Sequence, residues 1–396
     1  MATPDQLNEL RRRLAADLAS RHPDADPALA EAFAAVPRHR FLPRLLGVTG
    51  DPKGRMSAAE DGMSTSRAEE IYSDHALPLR PGEPVARSTS SAPGIMWTML
   101  QMLRPEPGHR ILEVGCGSGY NAAIMGRLVG PQGRVESLEI APDVAADADA
   151  CIEDLGIDNV GVTCGDGTLG GPGQEPFDRV IVTASPADIH PAWLDQLAEG
   201  GRLVTVLETA MGQRLAEFQK TDGRLHGSFG TWVAFVPMLG ESTQYPLMEA
   251  ASRALRAQWS ELRAQPMRRI TLANTLPRHT ERGMGFAVFL EIRHGRRATP
   301  VEPRQRHRGE VLFQSTEGEG VARVGSTWAA DPIELTAAGA ETIDAELARH
   351  AHEFAELHRS IESRLPVIAR PIASEEHPPP WGVGRREFFE YWVELG

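Results

Sequence analysis

The segment Arg110-Ile-Leu-Glu-Val-Gly-Cys-Gly-Ser-Gly-Tyr120 constrains the fold more than any other stretch of this 396-residue chain. An apolar run, Ile111 to Val114, leads straight into Gly115, Gly117 and Gly119, and apolar residues at helical spacing follow from Tyr120 (Ala122, Ala123, Ile124, Leu128, Val129). Strand, tight turn and helix open a βαβ unit. Glycines accept positive φ and put no Cβ between backbone and ligand, while the start of a helix offers unpaired N–H groups. Such a loop either binds a nucleotide-like ligand or is an ordinary strand-to-helix turn, and the residues downstream decide between the two.

The spacing selects the ligand. A dinucleotide fingerprint carries glycine at its first, third and sixth places. Counted from Gly115, the sixth place is Tyr120 and glycine falls at the fifth. Glu113, two residues before the first glycine, would repel a pyrophosphate but suits the cationic amino-acid end of S-adenosylmethionine. A second strand pattern, Arg134 to Ile140, carries Glu139 where a βαβ unit places the acid that bonds a ribose diol. A third, Val160 to Cys164, runs into Gly165-Asp166-Gly167 and sets Asp166 where it can bond an adenine amino group. Each acid alone reads as a solvated strand end. In order, one per strand end, they read as a methyltransferase site made of Glu113, Gly115, Gly117, Gly119, Glu139, Asp166 and Gly167, with S-adenosylmethionine as cofactor.

Composition narrows the remaining classes. A formal net charge of −13 argues against nucleic-acid binding. No apolar run reaches membrane-spanning length, and the first residues carry Glu9, Arg11, Arg12, Arg13 and Asp17 instead of an apolar block, so a cytoplasmic protein with no membrane partner is expected. Cys116, Cys151 and Cys164 have neither CxxC nor metal-ligand spacing, so no disulfide framework and no metal site is expected. Cys116 reads as a small space-filler within the loop.

From the start of the chain, Thr3-Pro4-Asp5 reads as a helix cap ahead of Leu7, Leu10, Leu14 and Leu18, and Pro27 to Ala35 as a second helix. Thr49 to Glu70 is polar and reads as a surface excursion. Ser88-Thr-Ser-Ser-Ala-Pro-Gly94 then reads as the N-cap of a helix. Further on, Asp188 to Leu197 reads as a helix, Gly200-Gly201 as its stop and Arg202 to Leu207 as a strand. Val36-Pro37-Arg38 followed by Phe41-Leu-Pro, Ala76-Leu-Pro78, Thr89-Ser-Ser91-Ala-Pro93, the Glu113 to Gly119 loop, Gly165-Asp-Gly167, Phe177 to Ala184, Leu197 to Leu203 and Phe235-Val-Pro237 together resemble, in order, the protein-L-isoaspartate O-methyltransferase family over roughly residues 30 to 240. The resemblance implies an α/β, Rossmann-like S-adenosylmethionine-dependent methyltransferase that esterifies a peptide side-chain carboxylate. It also implies Thr89 and Ser91 as the catalytic Thr-x-Ser, with the Ser91 hydroxyl meeting the carboxylate. Ser90 departs from the apolar residue usual between them, and residues 80–87 are longer than the usual lead-in, so a reshaped acceptor entrance is expected.

The implied chemistry needs few groups. A carboxylate of reference pKa about 4 is already ionised at neutral pH, so no general base is required and catalysis reduces to holding oxygen, methyl carbon and sulfur in line without water. No His–Asp or Ser–His constellation stands out. His75 beside Asp74 reads as a structural or solvent-facing histidine.

The expected organisation is an N-terminal helical segment (1–80), the methyltransferase core (81–240) and an additional C-terminal α+β domain (241–396). In the last, Pro246 to Gln265 patterns as a helix, Phe286 to Ile292 as a strand to which Val311 to Phe313 and Val321 to Val324 can pair, and Asp331-Pro332 as the cap of a long helix striped by Ile343, Leu347, Ala351, Phe354, Leu357, Ile361 and Leu365. That stripe is a core face or a homodimer face. The aromatic tail Phe388, Phe389, Tyr391 and Trp392 is expected to dock back. Between Arg253 and Arg308 stand thirteen arginines against four acids, and this segment either attracts an acidic peptide or is a solvated surface with internal ion pairs. Repair enzymes generally lack such a C-terminal part. Three functions stay open: tailoring of a ribosomally made acidic precursor peptide by an aspartyl methyl ester that closes to succinimide, general isoaspartyl repair, and a non-catalytic peptide-binding scaffold.

Overall fold

The computed structural model describes residues 1–47, 62–80, 88–173, 175–186, 188–209, 212–240, 245–264, 267–272, 290, 298–300, 311–315, 317–324, 333–360, 366–371, 384–385 and 389–393. The chain divides into two compact units. The first comprises Met1–Ser185, Ala192–Thr205 and Phe235–Ser242; the second comprises Pro186–Pro191, Val206–Ala234 and Thr243–Gly396.

In the first unit, α1 (Pro4–Arg21) begins where expected. The Thr3 hydroxyl accepts from the Gln6 N–H and the Gln6 side chain accepts from the Thr3 N–H, which satisfies two otherwise orphaned donors. Helices α2 (Pro27–Ala35) and α3 (Thr65–Ile71) follow, and then a two-stranded ribbon of β1 (Leu77–Pro78) and β2 (Thr89–Ser90). Next come α4 (Pro93–Leu103), β3 (Arg110–Val114), α5 (Tyr120–Val129), β4 (Arg134–Glu139), α6 (Pro142–Asp154), β5 (Val160–Cys164), β6 (Phe177–Val182), α7 (Pro191–Gln196) and β7 (Leu197–Thr209). The strands pair in parallel in the order β7-β6-β3-β4-β5. Ile111, Leu112, Val135, Val180, Ile181 and Val182 are completely buried, the continuous apolar strand content of a parallel sheet covered on both faces. Tyr120, the first residue of α5, is wedged among the N-terminal helices, 5.8 Å from the Phe41 ring and edge-on to Phe33 at 6.2 Å. The N-terminal helical layer is thereby packed onto the helix that leaves the glycine loop.

The second unit contains a hairpin, β8 (Gly212–Thr221) and β9 (Arg224–Val233), whose turn residues Asp222 and Gly223 both have positive φ, as a two-residue hairpin turn with strand-matched twist requires. Helix α8 (Tyr245–Leu262) precedes an antiparallel sheet of β10 (Arg268–Leu272), β11 (Ala298–Pro300), β12 (Val311–Gln314), β13 (Gly320–Val324) and β14 (Ile333–Gly339), ordered β10-β14-β13-β12-β11. Leu255, Trp259, Leu312, Val321 and Ala338 form a core cluster. After α9 (Thr342–Ser360), β15 (Pro366–Pro371) pairs with β9, β17 (Phe389–Val393) with β15, and β16 (Gly384–Arg385) with β17, so Phe389, Tyr391 and Trp392 of the aromatic tail dock in an added strand, while Phe388 lies outside the described residues.

Several sequence expectations are revised. Residues 333–339, expected inside a long helix, are strand β14, because Ile333, Leu335 and Ala337 sit at period two opposite β10 and the helix begins only at Thr342. Ile343, Leu347 and Ala351 are buried as expected, whereas the Phe354, Leu357, Ile361 and Leu365 side chains lie outside the described residues. So does the Phe286 to Ile292 strand pattern apart from Leu290, and β12 and β13 pair with one another. Gly200-Gly201 does not separate helix from strand but sits inside β7, where the register to β6 shifts and Gly200 has φ of +76°. The polar excursion contains a helix, α3, and its residues 49–61 lie outside the described residues. Among the described residues no helix is long and apolar enough to cross a membrane, and no group of three His, Cys, Asp or Glu is placed to hold a metal ion.

Candidate active site

The chain runs β3, β4, β5 in one direction and then returns to place β6 on the other side of β3, so the carboxyl ends of β3 and β6 flank the point where the strand order reverses. Open α/β sheets bind ligands in that crevice. The glycine loop lies there. Gly115 has φ of +100°, and a Cβ on it would stand 2.7 Å from the Thr183 hydroxyl oxygen at the end of β6. That hydroxyl is hydrogen-bonded to the Val114 and Gly115 carbonyls at 3.1 and 2.5 Å, donating to one or the other, and Gly115 and Cys116 donate their N–H groups to the Leu138 carbonyl. The backbone is thus held from β4 on one side and β6 on the other. Cys116 is buried, and burial pushes its thiol well above the ordinary range, which leaves it no thiolate.

The three acids occupy different settings. Glu113 is completely buried beneath the loop, where its oxygens accept from Asn121 Nδ2 at 2.7 Å and Ser137 Oγ at 2.5 Å. Burial raises its pKa to about 7 against the pull of those two donors, with the nearby charge of Glu139 adding to the rise. Glu139, half-buried at the end of β4, accepts from the Gly117 N–H at 2.9 Å and the Ala141 N–H at 3.1 Å, so it fixes the loop to the start of α6. Asp166 caps the short turn Gly167–Leu169 by accepting from the Thr168 N–H at 2.9 Å. A Cβ at Gly167 would stand 2.4 Å from Val114 Cγ1, and the Gly167 carbonyl accepts from the buried Trp193 indole at 2.8 Å, so this turn sits hard against the end of β3.

Thr89 and Ser91 are half-buried, and neither hydroxyl is hydrogen-bonded to any described residue. The Thr89 carbonyl lies 3.2 Å from where a Gly117 Cβ would be, which brings the Thr-x-Ser segment against the glycine loop. Ser90, the departure between them, is buried and lies 3.3 Å from the Ser118 hydroxyl, so it serves the contact with the loop. The expected serine cap of α4 is absent. Ala92 is the N-cap residue, without a side-chain bond, and Asp74 takes the Gly94 N–H at 2.6 Å instead. The other Asp74 oxygen accepts from Arg21 at 2.8 Å. Burial opposes ionisation of Asp74, but Gly94, Arg21 and Arg38 outweigh it and hold the carboxyl below its usual range.

Arg38 is the residue that sequence reasoning passed over. Its side chain is completely buried, and its guanidinium donates to the carbonyls of Ile71 (2.8 Å), Ser73 (3.0 Å), His75 (2.9 Å) and Ser91 (3.0 Å). Burial lowers its pKa to about 10, opposed by Tyr120, Asp74 and Tyr72. The Val36-Pro37-Arg38 motif was visible as a resemblance, but a side chain that binds only carbonyls leaves no complementary residue in the sequence. His75 is exposed, as expected.

Beside the loop lies a small cleft lined by Phe41, Leu42, Pro43, Arg44, Leu79, Gly117, Ser118, Val144 and Asp147. Its rim is tied by Arg44 to Asp147 at 2.5 Å and by Arg80 to Asp143 at 2.5 Å, while Arg40 pairs with Asp154 further along α6.

Fold and site together define an S-adenosylmethionine-dependent methyltransferase of the Rossmann-like class. A family model described as protein-L-isoaspartate(D-aspartate) O-methyltransferase matches residues 60–243. The protein-L-isoaspartate O-methyltransferase of Methanopyrus kandleri is 36% identical over 244 residues, 61% of this chain and 96% of that protein. The one from Pyrobaculum neutrophilum is 39% identical over 208 residues, 52% and 88% of the two chains. The chain belongs to the protein-L-isoaspartate(D-aspartate) O-methyltransferase family and is a carboxyl O-methyltransferase. A solved structure titled protein-L-isoaspartate O-methyltransferase is similar at a TM-score of 0.56 and 25% identity, covering 96% of this chain and 98% of its own. The C-terminal part, expected to be foreign to enzymes of that name, therefore has a counterpart in one of them.

Proposed function

We propose that this protein transfers the methyl group of S-adenosylmethionine to the side-chain carboxylate of an isoaspartyl residue in a peptide or protein, the activity named for its relatives. The observation that carries this is the pair of hydroxyls on Thr89 and Ser91, bonded to no described residue and carried by a segment whose Thr89 carbonyl and Ser90 hydroxyl lie against the glycine loop. The residues fit the cofactor. Each Glu139 oxygen accepts one internal N–H and keeps a lone pair for a ribose diol. Asp166, on the turn after β5, is the acceptor assigned to the adenine amino group. Gly115 and Gly117 admit close approach, and Glu113 places negative potential beneath the cationic end. The bound cofactor supplies an electrophilic sulfonium methyl. Ser91 and Thr89 orient the acceptor carboxylate, which attacks as the anion without a base.

A second reading is favoured by one observation. The arginine-rich segment 253–308 lies beyond the stretch matched by the family model and suits an acidic precursor peptide, whose aspartyl ester would close to succinimide. The counterpart of the C-terminal part in a solved relative weighs against giving that part a peptide of its own. Methyl transfer to an isoaspartyl peptide, its aspartyl twin and a synthetic acidic aspartyl peptide separates the two. Selective turnover of the isoaspartyl peptide supports the first reading, selective turnover of the acidic aspartyl peptide supports the second, and transfer to none refutes both.

A further inference from the structure

We propose that Arg38, with Asp74 as its counterpart, is the positioning residue of the acceptor segment: the guanidinium holds the carbonyl side of Ser91, the carboxylate holds the N–H side at Gly94, and neither touches the reacting carboxylate. The inference rests on the acceptor reading given above and adds to it the device that fixes Ser91.

The geometry is a bracket. Arg38 spends Nη1 on the Ile71 and Ser73 carbonyls and Nη2 on those of His75 and Ser91, with the Ser90 carbonyl at 3.5 Å. Three residues past Ser91, the Gly94 N–H is taken by Asp74, which belongs to the same 71–75 loop that Arg38 grips. Carbonyls to a cation and an N–H to an anion fix the segment from both polar faces. Among the described residues no carboxylate forms an ion pair with Arg38, and its Nε has no partner. Burying a cation without a direct counter-charge is costly, and joining two loops needs only donors.

The reaction explains both the charge and its placement. Methyl transfer consumes the negative charge of the carboxylate and the positive charge of the sulfonium together. A cation in direct contact with the carboxylate would stabilise the ground state more than the transition state and slow the step. Set one residue behind, with every η hydrogen committed to backbone, Arg38 leaves contact with the acceptor to the neutral Ser91 hydroxyl. Its field still favours entry of an anion.

The test uses the full-length protein with Arg38→Lys, which keeps the charge and loses the fork. Expected are a kcat on the isoaspartyl peptide lowered by about 100-fold, an S-adenosylhomocysteine affinity within about threefold of wild type, and amide exchange over residues 88–94 faster by at least about tenfold with residues 110–120 unaltered. A folded variant with unchanged kcat and unchanged exchange overturns the proposal. So does a loss of cofactor affinity equal to the loss of kcat. Should Arg38→Lys not fold, Asp74→Ala decides: kcat falls by about tenfold and is mostly recovered in Asp74→Asn, whose amide oxygen still accepts from Gly94. Equal behaviour of the two Asp74 variants overturns the bracket. If the wild type methylates no isoaspartyl peptide, the acceptor reading fails, while the exchange measurements still decide the positioning role.

Discussion

Glu113→Gln should make the ligand-free protein more stable at alkaline pH and less stable at acidic pH. The buried carboxyl loses its proton at about 7 instead of near 4.5, so folding disfavours its ionised form by about 3 kcal/mol. The folded state binds this proton more tightly than the unfolded state. The contribution to stability is therefore complete below about pH 4.5 and is lost as pH rises through about 7. Glutamine is neutral throughout. Its oxygen can still accept from Asn121, and the Ser137 hydroxyl can turn to accept from the new amide, at a cost of about 1 kcal/mol for altered geometry. The balance is a gain of roughly 2 kcal/mol near pH 8 and a loss of roughly 1 kcal/mol near pH 3.5, below both pKa values. Urea unfolding of both proteins at the two pH values measures it. Binding supplies the counterpart: a cationic cofactor favours the ionised carboxyl, so wild-type affinity should tighten as pH rises through about 7 and the variant should bind more weakly with a flat profile. Equal destabilisation of the variant at both pH values would refute the reasoning, because the Glu113 charge would then play no part.

Ser91→Ala should lower kcat by about 100-fold while leaving S-adenosylhomocysteine affinity unchanged, as expected for a group that contacts only the acceptor; steady-state kinetics beside calorimetric titration checks this. Gly167→Ala should destabilise by about 1–3 kcal/mol, because its Cβ would stand 2.4 Å from Val114 Cγ1, and thermal unfolding reads it directly. Glu139→Ala removes the acceptor of the Gly117 N–H and, on the proposed function, the ribose-diol contact, so cofactor affinity should fall by at least about tenfold in equilibrium dialysis.

Much of the parallel core was legible because its signals are local. The boundaries of β5 match the Val160 to Cys164 pattern to the residue, and α5 starts at Tyr120 as the glycine loop demands. Legibility fails where a partner is distant or is backbone. Asp74 replaces the expected serine cap from twenty residues upstream, and Arg38 binds carbonyls, which no side-chain pattern records. Gly200-Gly201 reads as a helix stop because glycine pairs break helices, yet within a sheet the same freedom serves a register shift. In the C-terminal part, Ile333 to Gly339 reads as helix because Asp331-Pro332 resembles a cap. The alternation that makes it a strand spans only a few residues, and its pairing with β10 and β13 is long-range. Of the named site residues, the structure packs Thr89 and Glu139 onto the glycine loop, holds Ser91 by its carbonyl on Arg38, seats Glu113 beneath the loop, and places Asp166 on the turn beside β3.

The most direct test is a crystal structure of the full-length protein with S-adenosylhomocysteine and an isoaspartyl peptide. The account predicts the ribose diol on Glu139, the adenine amino group on Asp166, and the peptide carboxylate within hydrogen-bond reach of the Ser91 hydroxyl, with Arg38 still bound to the Ser91 carbonyl. A carboxylate seated away from Thr89 and Ser91, or a cofactor away from the carboxyl ends of β3 and β4, would contradict it.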